Sequence, residues 1–177
     1  MSEPRTSPRM LGIYLNDHLA GATAGMELAR RAAREHRRSP FGGELEDLAV
    51  QIMEDRAALL SLMADLEVPV RRYKVYGGWL GEKAARLKPN GRLQRRAGLS
   101  SVVELESLRI GVEGKAMLWH SLLAATGEDT RLDPDRLTEL LTRARRQREL
   151  LESLHDGAAT TMFTPDRAQS REAVVGS

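Results

Sequence analysis

Apolar residues recur along most of this chain in alternating steps of three and four, the spacing that lines up one face of an α-helix. Four long helices are predicted. The clearest covers about residues 43–67, where Leu45, Leu48, Ile52, Asp55, Leu59, Leu62 and Leu66 fill consecutive seam positions of a heptad pattern. Asp55 is the one polar member of that seam, and Pro69 ends the helix. An earlier helix spans about residues 10–37 and stops before Ser39-Pro40, because proline disfavours helix in the residue before it. Its stripe is Leu11, Leu15, His18, Ala22, Gly25, Ala29 and Ala32, so it turns small after Leu15 and lets a neighbour approach closely.

The third helix is predicted over about residues 100–126, with Gly127 as its C-cap. At 100° per residue, Leu105, Leu108, Val112, Ala116, Trp119 and Leu123 form one apolar arc. Val103, Ile110 and Met117 form a second arc roughly opposite. A helix apolar on two sides is expected to be buried on both. The fourth begins at "LDPDRL", with Asp133 as N-cap and Pro134 in the first helical position. It runs to about His155 and stops at Asp156-Gly157. Its stripe is Leu137, Leu140 or Leu141, Ala144, Gln147 or Arg148, Leu151 and Leu154.

The links set the topology. Short links join the first to the second helix and the third to the fourth, so each pair is antiparallel. About 30 residues separate the pairs, enough to cross the length of a bundle. Within that crossover "YKVYGGWLGEKAARLK" has room for a shorter helix, broken at Gly77-Gly78 and stopped by "KPNG". The expectation is an all-α four-helix bundle over 10–156, with flexible tails at 1–9 and 157–177.

The composition agrees. A chain of 177 residues is the size of one domain, and with 4% aromatics and abundant Ala, Leu, Arg and Glu it favours helix. With no cysteine, disulfides, thiolate metal sites and cysteine nucleophiles are excluded together, which fits a reducing cytoplasm. "MSEPRTSPRM" lacks the apolar core of a signal peptide, and no apolar run reaches the roughly 20 residues that span a bilayer.

Three stretches carry a resemblance. "MLGIYLNDHLAGATAGMELARRAARE" resembles the first helix of the small bacterial ferritin-like proteins, which open with a similar Tyr-Leu-x-Asp stretch. "DLAVQIMEDRAALLSLMADL" is similar to their second helix and "LESLRIGVEGKAMLWHSLL" to their third, so the resemblance covers about residues 10–155. It implies a ferritin-like topology of up-down pairs joined by one long crossover. The family's chemistry is a carboxylate-bridged pair of iron or manganese ions. It requires one carboxylate from each of two helices and a Glu-x-x-His pair from each of the others. This chain departs from that pattern. Glu54 is followed three residues on by Ala57, Glu106 by Arg109 and Glu113 by Ala116; Ala22 and Thr23 stand where the first carboxylate would fall. Only Glu152-Ser-Leu-His155 fits, and it lies at a helix end, where His155 also suits the negative end of the helix dipole. The di-metal motif is read as lost, with no cofactor.

Between the two arcs of the third helix lies a polar strip of Glu106, Arg109, Glu113 and His120. Three readings of it stand. In the first it is a structural polar core: Arg109 bridges Glu106 and Glu113, and Arg148 answers Asp55. In the second, Glu106, Glu113, Asp55, His18 and His120 supply an unusual iron or manganese site. In the third, the strip is solvated or faces a second copy. Separately, residues 68–98 carry Arg71, Arg72, Lys74, Lys83, Arg86, Lys88, Arg92, Arg95 and Arg96 against Glu82 alone, a net of +8 in a chain of +2. With Tyr73, Tyr76 and Trp79 among them, they are candidates for binding nucleic acid or another anionic surface, or a solvated crossover that covers the bundle's own acidic faces. The functional expectation is a non-catalytic bundle acting as a homo-oligomer, a dimer by preference, or through a protein partner.

Overall fold

The computed structural model describes residues 8–71, 93–127 and 129–164; between 93 and 100 it describes only one side chain, that of Leu99. The described residues form four helices and no strand: α1 (Pro8–Glu35), α2 (Gly42–Asp65), α3 (Leu93–Ala124) and α4 (Pro134–Phe163). Side-chain contacts fix their directions. Tyr14 near the start of α1 donates to Ser121 near the end of α3 at 3.4 Å, and Arg31 near the end of α1 reaches Glu104 at 2.8 Å. These helices are therefore antiparallel. Arg136, Arg143 and Gln147, in order along α4, meet Asp65, Glu54 and Gln51, in reverse order along α2, so this pair is antiparallel too. Glu106, Glu113 and Lys115 along α3 meet His155, Arg148 and Gln147 in descending order along α4, so α3 is also antiparallel to α4, and α2 and α3 run the same way. The result is a four-helix bundle of two antiparallel hairpins.

Local signals set the helix ends. Asp133 accepts hydrogen bonds from the Asp135 and Arg136 amides at 3.0 and 3.2 Å, with Pro134 in the first turn, as the sequence predicts. At the end of α2, Glu67 takes a left-handed φ of 55°. There Glu67 N–H donates to Ala64 O at 3.0 Å and Val68 N–H to Met63 O at 2.8 Å, the pairing of a Schellman motif. Buried Asn16 then anchors the chain leaving α2, donating to Pro69 O at 3.1 Å and accepting from Arg71 N–H at 2.7 Å.

Four expectations need correction. Helix α3 begins at Leu93, seven residues before 100, since Leu93 to Ala97 are good helix formers and carry the helix through Gly98. It does not use Gly127 as a left-handed cap; its last turn is closed by Ala125 N–H to Leu122 O and Thr126 N–H to Leu123 O. Helix α4 runs through Gly157 to Phe163, so residues 157–163 are not tail. Glycine is a poor helix former, but Ala158 packs on the core beyond it and the Thr161 hydroxyl donates to Gly157 O at 2.9 Å. Finally, the second apolar arc of α3 is not buried: Ile110 is 69% exposed and Met117 49%. Helices α1 and α4 cover only the arc that contains Leu105, Leu108 and Trp119.

The core is in two blocks. One gathers Leu15, Leu19, Leu59, Leu62, Trp119, Leu137 and their neighbours; the other gathers Ala29, Ala32, Leu45, Leu48, Leu105, Leu108 and Leu151. All seven positions of the α2 seam are buried, Asp55 included. Asp55 marks the boundary between the blocks. No helix among the described residues is long and apolar enough to cross a membrane.

Candidate functional site

The break between the core blocks is a layer of charge. Helix α2 points Asp55 inward, where its side chain is 2% exposed. Helix α3 brings Lys115 to it from across the bundle, and α4 brings Arg143 and Gln147, one turn apart on one face. Lys115 Nζ donates to Asp55 Oδ2 and to Gln147 Oε1. Arg143 pairs with Asp55 Oδ1 and reaches Glu54 at 3.1 Å. Gln147 Nε2 donates to Asp55 Oδ2 and to Gln51 Oε1, each at 3.1 Å. Both carboxylate oxygens of Asp55 are thus neutralised by fixed cations. Burial holds the Lys115 ammonium below its usual pKa, and Asp55 opposes that effect.

Beside this layer a cavity of about 470 Å³ lies between α1, α2 and α3. Asp55 and Lys115 line one part of it, Leu59, Leu108, Val112 and Trp119 much of the rest. Gly21 and Gly25 of α1 and Gly111 and Gly114 of α3 border it without side chains. His18 is half-buried on its wall with its ring edge-on to Tyr14, centroids 4.6 Å apart; burial pushes its pKa down.

The structure distributes the sequence-derived candidates differently from the polar-core expectation. Asp55 is central, but Arg148 does not answer it. Arg148 pairs with Glu113 at 3.3 Å, with 36% and 42% of the two side chains exposed. Arg109 does not bridge Glu106 and Glu113; it pairs with Glu152 at 3.6 Å, while Glu106 meets His155 at 3.2 Å. The physical reason is the exposed second arc. With α3 covered on one side only, its polar strip becomes an open seam along α4, where ion pairs are worth little. His120 is exposed as well. The five metal candidates are therefore not brought together: Glu106, Glu113 and His120 lie outside, Asp55 in the charged layer and His18 on the cavity wall. Among the described residues no group of three or more His, Asp or Glu side chains is placed to hold an ion. Of the basic candidates, Arg71 is exposed at the end of the segment after α2. Arg72, Lys74, Lys83, Arg86, Lys88 and Arg92 lie outside the described residues, as do the side chains of Arg95 and Arg96.

Sequence reasoning missed Lys115 and Arg143. The signal for Lys115 was present: it sits three residues after Val112 and four before Trp119, at the edge of the apolar arc. A second buried acid was missed too. Glu104 is 4% exposed and is met by Arg31 at 2.8 Å and by His36 at 4.0 Å. Burial and the neighbouring Glu35 raise its pKa more than Arg31 and His36 lower it.

Comparison with protein-family models, with curated proteins and with solved structures finds no match for this chain.

Proposed function

We propose that this protein is a non-catalytic bundle of the ferritin-like kind in which fixed cations have replaced the metal pair, and that it acts by association with a second copy of itself. The observation that carries the reading is the pairing of Asp55 with two cations. Lys115 and Arg143 occupy both of its oxygens, and their positive charges would repel an ion entering the layer. Glu54, the nearest further acid on α2, is turned to the surface and held by Arg143. The parallel run of α2 and α3 supports the ferritin-like topology, since one crossover must then join the hairpins.

Association is supported by the uncovered arc of α3. Leu99, Ile110 and Met117 are 47%, 69% and 49% exposed along one line of that helix. Exposed apolar residues arranged in a line, rather than scattered, are the usual mark of a contact surface. A second helix α3 packed against this line would bury it. Metal analysis of untagged protein and light scattering test the two halves of the reading. Expected are less than stoichiometric iron, manganese or zinc, and a dimer that Ile110→Glu converts to a folded monomer. Stoichiometric metal lost on Asp55→Asn would refute the first half; a monomeric wild type would refute the second.

A further inference from the structure

We infer that the cavity between α1, α2 and α3 binds a small monocarboxylate carried on an apolar body. At about 470 Å³ it falls within the range of small-molecule sites, and Leu59, Leu108, Val112 and Trp119 give it the apolar walls such sites have. The space is held open from both sides. At Gly21, Gly25, Gly111 and Gly114 an added Cβ would meet nothing within 4 Å. Four glycines in two helix interiors are poor helix formers, and none is required by close packing.

The polar groups choose the headgroup. Donors are in excess at this cavity. Arg56 lines it and uses its Nε on Thr23 Oγ1 at 2.9 Å, but its two terminal amino groups have no acceptor among the described residues. Trp119 is 1% exposed, and its indole N–H has no acceptor either. The anions are already charge-balanced. Asp55 Oδ2 accepts from Lys115 and Gln147, its Oδ1 makes no hydrogen bond but lies against the Arg143 guanidinium, and Asp17 has a partner of its own. A cationic ligand would meet Asp55 already opposed by two cations, Lys115 and Arg143, whereas a carboxylate would find the planar two-donor edge of Arg56, which matches it in geometry and charge. The apolar body then lies along Leu59, Leu108 and Val112 toward Trp119. This site does not depend on metal content or on assembly, so it stands or falls separately from the proposed function.

Isothermal titration of the full chain with sodium decanoate, decan-1-ol and decylammonium, each below its micelle concentration, tests the inference. Decanoate is expected to bind once per chain, with the other two weaker by about tenfold or more, because only the carboxylate is charge-paired by Arg56. Arg56→Gln should remove most of the preference for decanoate over decanol. Gly114→Leu should abolish binding by filling the space, and a helix content unchanged by circular dichroism would show that lost binding does not reflect lost folding. No binding of decanoate, equal affinity for all three headgroups, or undiminished binding by Gly114→Leu would each overturn the inference.

Discussion

Replacing Lys115 by methionine isolates what the charged layer contributes. Methionine keeps an unbranched side chain of similar length but removes the ammonium, so packing along α3 changes little. Asp55, 2% exposed, then keeps Arg143 and the Gln147 amide, while Gln147 Oε1 loses its donor. Breaking a buried ion pair by deleting one partner costs about 3–5 kcal/mol. Because one cation and one amide donor remain, the lower end applies, about 3 kcal/mol. In a chain of this size that corresponds to a melting temperature lower by about 6–12 °C. Asp55→Leu combined with Lys115→Met should behave differently. It leaves no unpaired charge in the layer, since Arg143 is 32% exposed and retains Glu54. The double variant is expected within about 1 kcal/mol of wild type, as replacements of buried pairs by apolar residues often are. The assay is urea unfolding followed by circular dichroism on wild type, both single variants and the double, analysed as a cycle. The reasoning is refuted if Lys115→Met stays within about 0.5 kcal/mol of wild type, the range of an ordinary surface substitution. It is equally refuted if the losses of the two single variants simply add.

Three further outcomes are expected. Gly42→Ala should destabilise by about 1–3 kcal/mol, because its Cβ would lie 2.7 Å from His36 O and 2.8 Å from Arg37 O, backbone atoms that cannot rotate away. Gly43→Ala, whose Cβ meets nothing within 4 Å, is the control, and equal urea midpoints for the two variants would contradict the account. Glu67→Gly should stabilise by about 1 kcal/mol, since φ of 55° strains a residue with a Cβ and does not strain glycine. Differential scanning calorimetry would show a rise in melting temperature; a fall would mean that the Glu67 side chain does more than its exposure suggests. Glu104 has a pKa raised above 4.5, so its contribution to stability is full below that value and is lost as pH rises through the raised value. Glu104→Gln should therefore raise the melting temperature at pH 7 and flatten the decline above pH 4.5, with the amide oxygen still able to accept from Arg31. A lower melting temperature at pH 7 would show that the Arg31 pair outweighs burial.

The fold was readable because its signals are local and repeated. The α2 seam from Leu45 to Leu66 is buried at every predicted position, and the α4 stripe from Leu137 to Leu154 is buried with Gln147 in it. Asp133-Pro134 fixes one helix start by itself. The helix ends that were misplaced are those where no single residue decides. Gly157 and Gly98 are both weak breakers, and a helix passes through either when good helix formers or core contacts lie beyond. The second arc of α3 was misassigned for a different reason. Periodicity says that a face is apolar; it does not say that a further neighbour exists to cover it.

The site was half readable, and the missing half is informative. Asp55 was conspicuous because it interrupts an apolar seam, and a buried carboxylate requires a cation. The sequence offers Arg148, at a gap in the α4 stripe, for Asp55, and Arg109 for Glu106 and Glu113. Both are surface residues. The two that answer Asp55 were hidden by their length. Lys115 lies at the edge of an apolar arc, where a lysine usually buries its stem and takes its charge outward. Here the charge turns inward to Asp55 and Gln147, and Gly21 and Gly25 of α1 leave open space beside the layer. The glycines that open the cavity and the lysine that lines it are thus consequences of one local arrangement. Closing the gap with larger residues on α1 and α3 would compress the space into which Lys115 extends. The cavity and the ion-paired layer should therefore respond together to Gly111→Leu or Gly114→Leu, and substitutions confined to the Glu106–His155 seam should affect neither.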